Sequence, residues 1–112
     1  MPLVGELQKL LLRLSDGQWE HGPGISISTI DNPGWRIDIC LTETPHINLF
    51  VGEVADNRSE VDWIFIRTEM RGFQKFLMVA CGPDNLEEAL SRIFLLLEGE
   101  KPVPKSDGNP EQ

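Results

Sequence analysis

Two imidazoles (His21 and His46), two thiols (Cys40 and Cys81) and many carboxylates are the side chains with which this chain could do covalent or acid–base work. Nucleophilic hydrolysis needs a Ser, Cys or Thr beside a base that a third group orients. No G-x-S-x-G string occurs, and both thiols fall in segments that read as strands. A metal site needs clustered His, Cys, Asp or Glu. The nearest approach is Trp19-Glu20-His21 with Asp31, and neither H-x-x-x-H nor C-x-x-C spacing is present. Glu20, Asp31, Asp38, Glu43 and Asp62 could pair for proton transfer. Acids are so abundant, however, that solvated surface is the plainer expectation. Gly22-Pro23-Gly24 precedes a strand and lacks Lys, so it reads as a turn and not a phosphate cradle. His21 reads as a polar loop residue and His46, after Pro45, as an ordinary surface residue. No cofactor is implied and the chain reads as a non-enzyme. The alternative is a small metal- or ligand-binding domain, or a minor enzyme, built on the His21/Asp31 region.

The aromatic residues carry a different signal. Trp19 and Trp35 lie beside turn segments, next to Glu20, His21, Asp31 and Asn32. Tryptophan is enriched at interface hot spots, and acidic neighbours suit an Arg or Lys from a partner. The same residues would also serve to seal the end of a core, with the polar groups hydrogen-bonding the loops.

These residues are positioned by a simple order of elements. Leu3, Leu7, Leu10, Leu11 and Leu14 recur at helical spacing, and Ser15-Asp16-Gly17 stops that helix, Gly17 being suited to the left-handed conformation. Ile25 and Ile27 alternate with Ser26 and Ser28 in a first strand. Asn32-Pro33-Gly34-Trp35 then reads as a type II turn, with Gly34 taking positive φ. Trp35, Ile37, Ile39 and Leu41 alternate with Arg36, Asp38, Cys40 and Thr42, the pattern of a half-buried antiparallel strand. A third strand is expected over Ile47 to Val54, and a hairpin over Val61 to Thr68 and Phe73 to Cys81, joined across Glu69 to Gly72. Both faces of that hairpin carry apolar residues, which places it centrally, covered on both sides. A last helix begins near Asp84, capped by it with Glu87 three residues on, buries Leu86, Ala89, Leu90, Ile93, Phe94 and Leu97, and ends at Gly99. The fold class is therefore α+β: an antiparallel sheet of about five strands flanked by an N-terminal and a C-terminal helix, both on one face. Residues 1–99 are expected to form a single domain and residues 100–112, with three prolines, a disordered tail.

The chain has 112 residues, of which 40% are hydrophobic and 25% charged, ordinary values for one globular core that needs no metal or disulfide. A Cys40–Cys81 disulfide is not readable from sequence. The first residues lack the basic segment and apolar run of a secretory signal, so buried free thiols in a reducing cytoplasm are expected. No apolar run approaches a bilayer's span, which argues against a membrane partner. Eighteen acidic residues against ten basic ones give a net charge of −8. That argues against nucleic acid, whose phosphates require Lys and Arg clusters, and suits a basic protein partner.

The strings Trp19-Glu20-His21, Gly24-Ile25, Thr29-Ile30-Asp31-Asn32-Pro33-Gly34-Trp35 and Ile37-Asp38-Ile39-Cys40-Leu41 together resemble the immunity protein 53 family. Asp62-Trp63 and Gly82-Pro83-Asp84-Asn85-Leu86-Glu87-Glu88 fit as well, and the resemblance covers roughly residues 7 to 97. Leu10-Leu11 stands where the family carries a Trp-Tyr pair, and residues 44–57 match poorly. The resemblance implies a bacterial cytoplasmic protein of a polymorphic-toxin system that binds a cognate toxin domain and blocks it. It brings no catalytic residues. A basic, nuclease-type toxin would agree with the acidic balance. On this reading the expected contact set is Trp19, Glu20, His21, Asp31, Asn32, Trp35 and Asp38, an acidic patch presented by loops.

Overall fold

A computed structural model describes residues 3–99 of the chain; the expected tail over 100–112 lies outside the described residues. The element order is α1 (Leu3–Leu14), a 3-10 turn (Trp19–His21), β1 (Ile25–Ile30), β2 (Gly34–Cys40), β3 (Val54–Asn57), β4 (Trp63–Arg71), β5 (Gln74–Cys81) and α2 (Leu86–Gly99). The five strands form one antiparallel sheet in the order β1-β2-β5-β4-β3. The fold is the α+β sheet with terminal helices that the patterning implies.

Register explains which face is buried. Ile37 pairs with Val79 and Ile39 with Leu77, while Ile66 pairs with Val79 and Ile64 with Cys81. These side chains share one face, and all are at most 3% exposed. Leu10 and Leu14 of α1 join Ala89, Leu90, Ile93, Phe94 and Leu97 of α2 over that face to complete the core. Leu11, grouped by spacing with the buried stripe, is instead 46% exposed. Two helices cover the middle of a five-stranded sheet, and Leu11 lies on the outer flank of α1, above β1.

Among the described residues, no helix covers the opposite face. Phe76 and Met78 point that way yet are each only 6% exposed. Their cover is a layer of ion pairs: Arg36 with Asp38, Arg71 with Asp38 and Glu69, and Arg67 with Glu69 and Glu53. The Arg71 guanidinium lies 4.2 Å from the centroid of the Phe76 ring, and Arg67 lies 5.6 Å from that of Phe65. The β4–β5 hairpin is thus central, as its two-sided apolar pattern suggested. Its second cover is made of guanidinium groups and not of another apolar layer.

Three local expectations are corrected. The third strand is Val54–Asn57, not Ile47 to Val54. Residues 41–53 carry the chain from β2, beneath the sheet end, to the far edge beside β4; Leu49 and His46 are inserted inward on the way. The alternating Ile47, Leu49 and Val51 look like a strand because alternate residues are buried, but of these Val51 alone is tied to β4, through Thr68. Next, Asn32-Pro33-Gly34-Trp35 is not a type II turn. The Asn32–Pro33 bond is cis, and Gly34 opens β2 opposite Ile30 without a positive φ. Glycine is needed there for space, since a Cβ would stand 2.3 Å from the Cys81 carbonyl oxygen. Finally, the hairpin turns at Gly72-Phe73, between the paired Arg71 and Gln74. Gly72 supplies the positive φ that a type II′ turn needs at its first central position.

Cys40 and Cys81 are free and buried. They pair across the sheet with Phe76 and Trp35, residues at opposite ends of the β2–β5 ladder, roughly 17 Å apart at strand rise. A disulfide between them is sterically closed.

Candidate functional site

In the order β1-β2-β5-β4-β3 consecutive strands alternate in direction, so alternate connections lie at the same end. Here the β1–β2 turn (residues 31–33), the β3–β4 connection (58–62) and the β5–α2 connection (82–85) share one end, across roughly 19 Å of sheet width. Glu87, Glu88 and Arg92 of α2 and Asp56 near the end of β3 flank them. Seven carboxylates gather there, those of Asp31, Asp56, Glu60, Asp62, Asp84, Glu87 and Glu88, against the two guanidiniums of Arg58 and Arg92.

Asn85 ties the β3–β4 and β5–α2 connections together. It is 6% exposed; its Oδ1 accepts from the Trp63 backbone N–H at 3.2 Å, and its Nδ2 donates to Asp62 at 2.9 Å and Glu88 at 3.3 Å. Asn85, not Asp84, directly precedes α2, and its carbonyl accepts the Ala89 N–H at 2.8 Å. Its side chain bridges to β4 instead of capping the helix. Gly82 makes that bridge sterically possible: a Cβ there would lie 2.2 Å from the Val61 carbonyl oxygen and 2.7 Å from Asn85 Oδ1. On the other flank, Trp35 Nε1 donates to the Pro83 carbonyl at 3.0 Å.

The charges at this end fall into two groups. Arg58 holds Asp62 at 2.9 Å and Glu88 at 2.7 Å, and Arg92 holds Asp56 at 2.6 Å and Glu88 at 3.2 Å. The Arg58 hydrogen bonds keep the Asp62 and Glu88 carboxyls below their ordinary values, and in return raise that of Arg58. Asp31, Glu60, Asp84 and Glu87 are exposed and enter no ion pair among the described residues.

The contact set expected from sequence is not one patch. Asp31, Asn32 and Trp35 stand at the acidic end, but Trp19, Glu20 and His21 stand at the other end of β1. Trp19 is 4% exposed, with Nε1 donating to the Cys40 carbonyl at 3.0 Å, so the two tryptophans close opposite ends of the core. Glu20 accepts from the backbone amides of Asp16 (2.9 Å) and Gly17 (3.1 Å) and so fixes the loop after α1. Backbone hydrogen bonds, its own amide's first, hold its carboxyl below the ordinary value. His21 is exposed and shares no site with Asp31. Asp38 lies mid-sheet on the helix-free face with both oxygens engaged by Arg36 and Arg71. Burial pushes its carboxyl up, but those guanidinium contacts outweigh it and hold the group low. His46, expected at the surface, is 4% exposed, beside Arg13, Leu14 and Leu97. Burial first, and Arg13 second, lower its pKa. Among the described residues no group of three or more His, Cys, Asp or Glu is arranged to hold a metal ion.

A model of the family described as Immunity protein 53 matches residues 4–98. The chain belongs to that family. No curated protein and no solved structure matches it. Membership supports an immunity function and implies a toxin protein as partner. Three of the strings that carry the family resemblance, residues 29–35, 62–63 and 82–88, lie far apart in sequence and meet at the acidic end. Glu60, Asp84 and Glu87 belong to that end and were missed as site residues. The signal that could have found them is connection parity, which puts alternate turns of an antiparallel sheet together when consecutive strands alternate in direction, as they do here. No described helix is long and apolar enough to cross a membrane.

Proposed function

We propose that this protein neutralises a cognate bacterial toxin domain in the cytoplasm by stoichiometric occlusion, seating the acidic end of its sheet on a basic surface of nuclease type. The observation that carries this reading is the surplus of five negative charges at that end, four of them on exposed carboxylates that enter no ion pair among the described residues. Such a surface accelerates association with a basic partner and discriminates against acidic ones. The rigid frame beneath it, Asn85 with Gly82 and Trp35, limits the ordering cost of binding.

The test uses the toxin domain encoded beside this gene. Co-expression should protect cells, and titration of purified toxin activity should end at one equivalent. Protection at well below one equivalent would indicate turnover and overturn the occlusion reading. The combined variant Asp31→Asn, Glu60→Gln, Asp84→Asn and Glu87→Gln should slow association on the order of tenfold at low ionic strength, and much less at high salt. An association rate indifferent to these four changes would move the interface elsewhere.

A further inference from the structure

The two edges of the sheet are built differently. β3 is four residues long, and its Asp56 is held by Arg92 from α2, so charge blunts that edge. β1 is six residues of regular ladder, Ile25–Ile30, with neither charge nor proline. In a chain of net charge −8, no charged residue occurs between Glu20 and Asp31. The helix layer also stops short of this edge, leaving a groove of about 360 Å³ lined by Leu7, Gln8, Leu11, Ile25 and Ile27. An uncharged strand edge beside an apolar groove is a template for another strand.

We infer that the β1 edge pairs with the β1 edge of a second copy of this chain, joining two sheets into one of ten strands. The register follows from the hydrogen bonding. Cys40 N–H donates to the Gly24 carbonyl, so Gly24, Ser26, Ser28 and Ile30 turn their backbone groups toward β2, while those of Ile25, Ile27 and Thr29 point outward. A two-fold axis perpendicular to the sheet, through Ile27 facing its own copy, sets Ile25 opposite Thr29 and Ser26 opposite Ser28. Every outward N–H and C=O then finds a partner, and no residue changes face. The same axis turns the two apolar grooves toward each other, so that Leu11 gains cover. Electrostatics agrees with this occupant. Antiparallel pairing sends the two acidic ends in opposite directions, where they do not repel, and the contact line itself carries no charge. The closed two-fold arrangement leaves both acidic ends open.

The experiment needs only the purified full chain. Light scattering or sedimentation should give about 25 kDa at micromolar concentration and above, twice the 12.6 kDa of the chain. Ser26→Lys with Ser28→Lys sets like charges directly opposite each other across the axis and should return the mass to that of the monomer. Ser26→Lys with Ser28→Glu sets opposite charges there and should restore the dimer. Both positions are exposed, and circular dichroism checks that the fold is kept. As an independent reading, Ile27→Cys sets two thiols facing each other on the axis, with Cα atoms about 5.5 Å apart, and a short bis-maleimide should cross-link it. A monomeric mass for the unaltered chain up to several hundred micromolar overturns the proposal, and so does a dimer that survives the double-lysine change or fails to cross-link through position 27. Pairing of this edge only when toxin is added also overturns it, because a strand of the toxin is then the occupant. None of these readouts depends on toxin neutralisation.

Discussion

Asn85→Ala tests whether one buried amide organises the acidic end. Truncation leaves the half-buried Trp63 N–H without its acceptor, which costs about 1–2 kcal/mol. It also removes the donor to Asp62 and Glu88, but those side chains are 49% and 38% exposed, so water replaces most of what is lost. The expected loss of about 1–2 kcal/mol corresponds to a fall of roughly 1 M in the urea midpoint for a domain of this size. Asn85→Asp separates the two contributions. It keeps the acceptor for Trp63 but adds a carboxylate facing Asp62 and Glu88, so its penalty at neutral pH is repulsive and should shrink as the pH falls toward about 4. Urea unfolding followed by tryptophan fluorescence at pH 7 and pH 4.5 measures both variants. A loss below about 0.5 kcal/mol for Asn85→Ala would refute the idea that this residue holds the β3–β4 and β5–α2 connections together.

Other consequences follow from single contacts. Gly82→Ala drives a methyl group into the Val61 carbonyl and should destabilise the chain by about 3 kcal/mol or more, whereas Gly24→Ala has open space and bears only the milder strain of its positive φ; thermal melts rank the two. The lowered His46 value means that folding favours the neutral ring. Its contribution is complete above the unfolded pKa near 6.5 and is lost as pH falls through the lower folded value, so His46→Gln should flatten the stability profile below about pH 6.5. Asp38→Asn should cost about 2 kcal/mol at pH 7 by loosening Arg36 and Arg71. Because the folded carboxyl is held low, the wild type gains this stability above about pH 4 and loses it below, and acid titration of the variant should lack that loss.

The fold was legible where period and burial coincide. The alternation Trp35 to Leu41 and the stripe Leu86 to Leu97 each report one buried face, and both elements form as read. Reading failed where burial arose without secondary structure. Ile47, Leu49 and Val51 alternate along a crossing loop that buries Leu49 and half-buries the other two, which mimics a strand. His46 was placed at the surface because a residue after proline in a loop is usually wet, yet the same crossing loop buries it. The site was only partly legible for a different reason. Grouping Glu20, Asp31 and Asp38 by their neighbours along the chain ignores that β1 separates the first two and that β2 turns the third onto the sheet face. Glu60, Asp84 and Glu87 lie in no motif of reactive residues, and only the parity of the connections brings them together.

The placement of arginine decides where the negative charge of this chain can be used. Arg36, Arg67 and Arg71 are spent on the helix-free face, where their guanidiniums roof Phe65 and Phe76 and take up Asp38, Glu69 and Glu53. That face is charge-balanced and already closed, so a partner docking there would have to break ion pairs to gain contacts. At the acidic end the two arginines engage the carboxylates nearest α2 and leave the outermost ones open. On the proposed reading a cationic partner meets, at one end of the sheet, carboxylates that enter no ion pair among the described residues, while the neutral β1 edge is left to a second copy of the chain. The two proposals thus place long-range attraction and short-range pairing on different surfaces, so a toxin drawn to the first need not compete for the second.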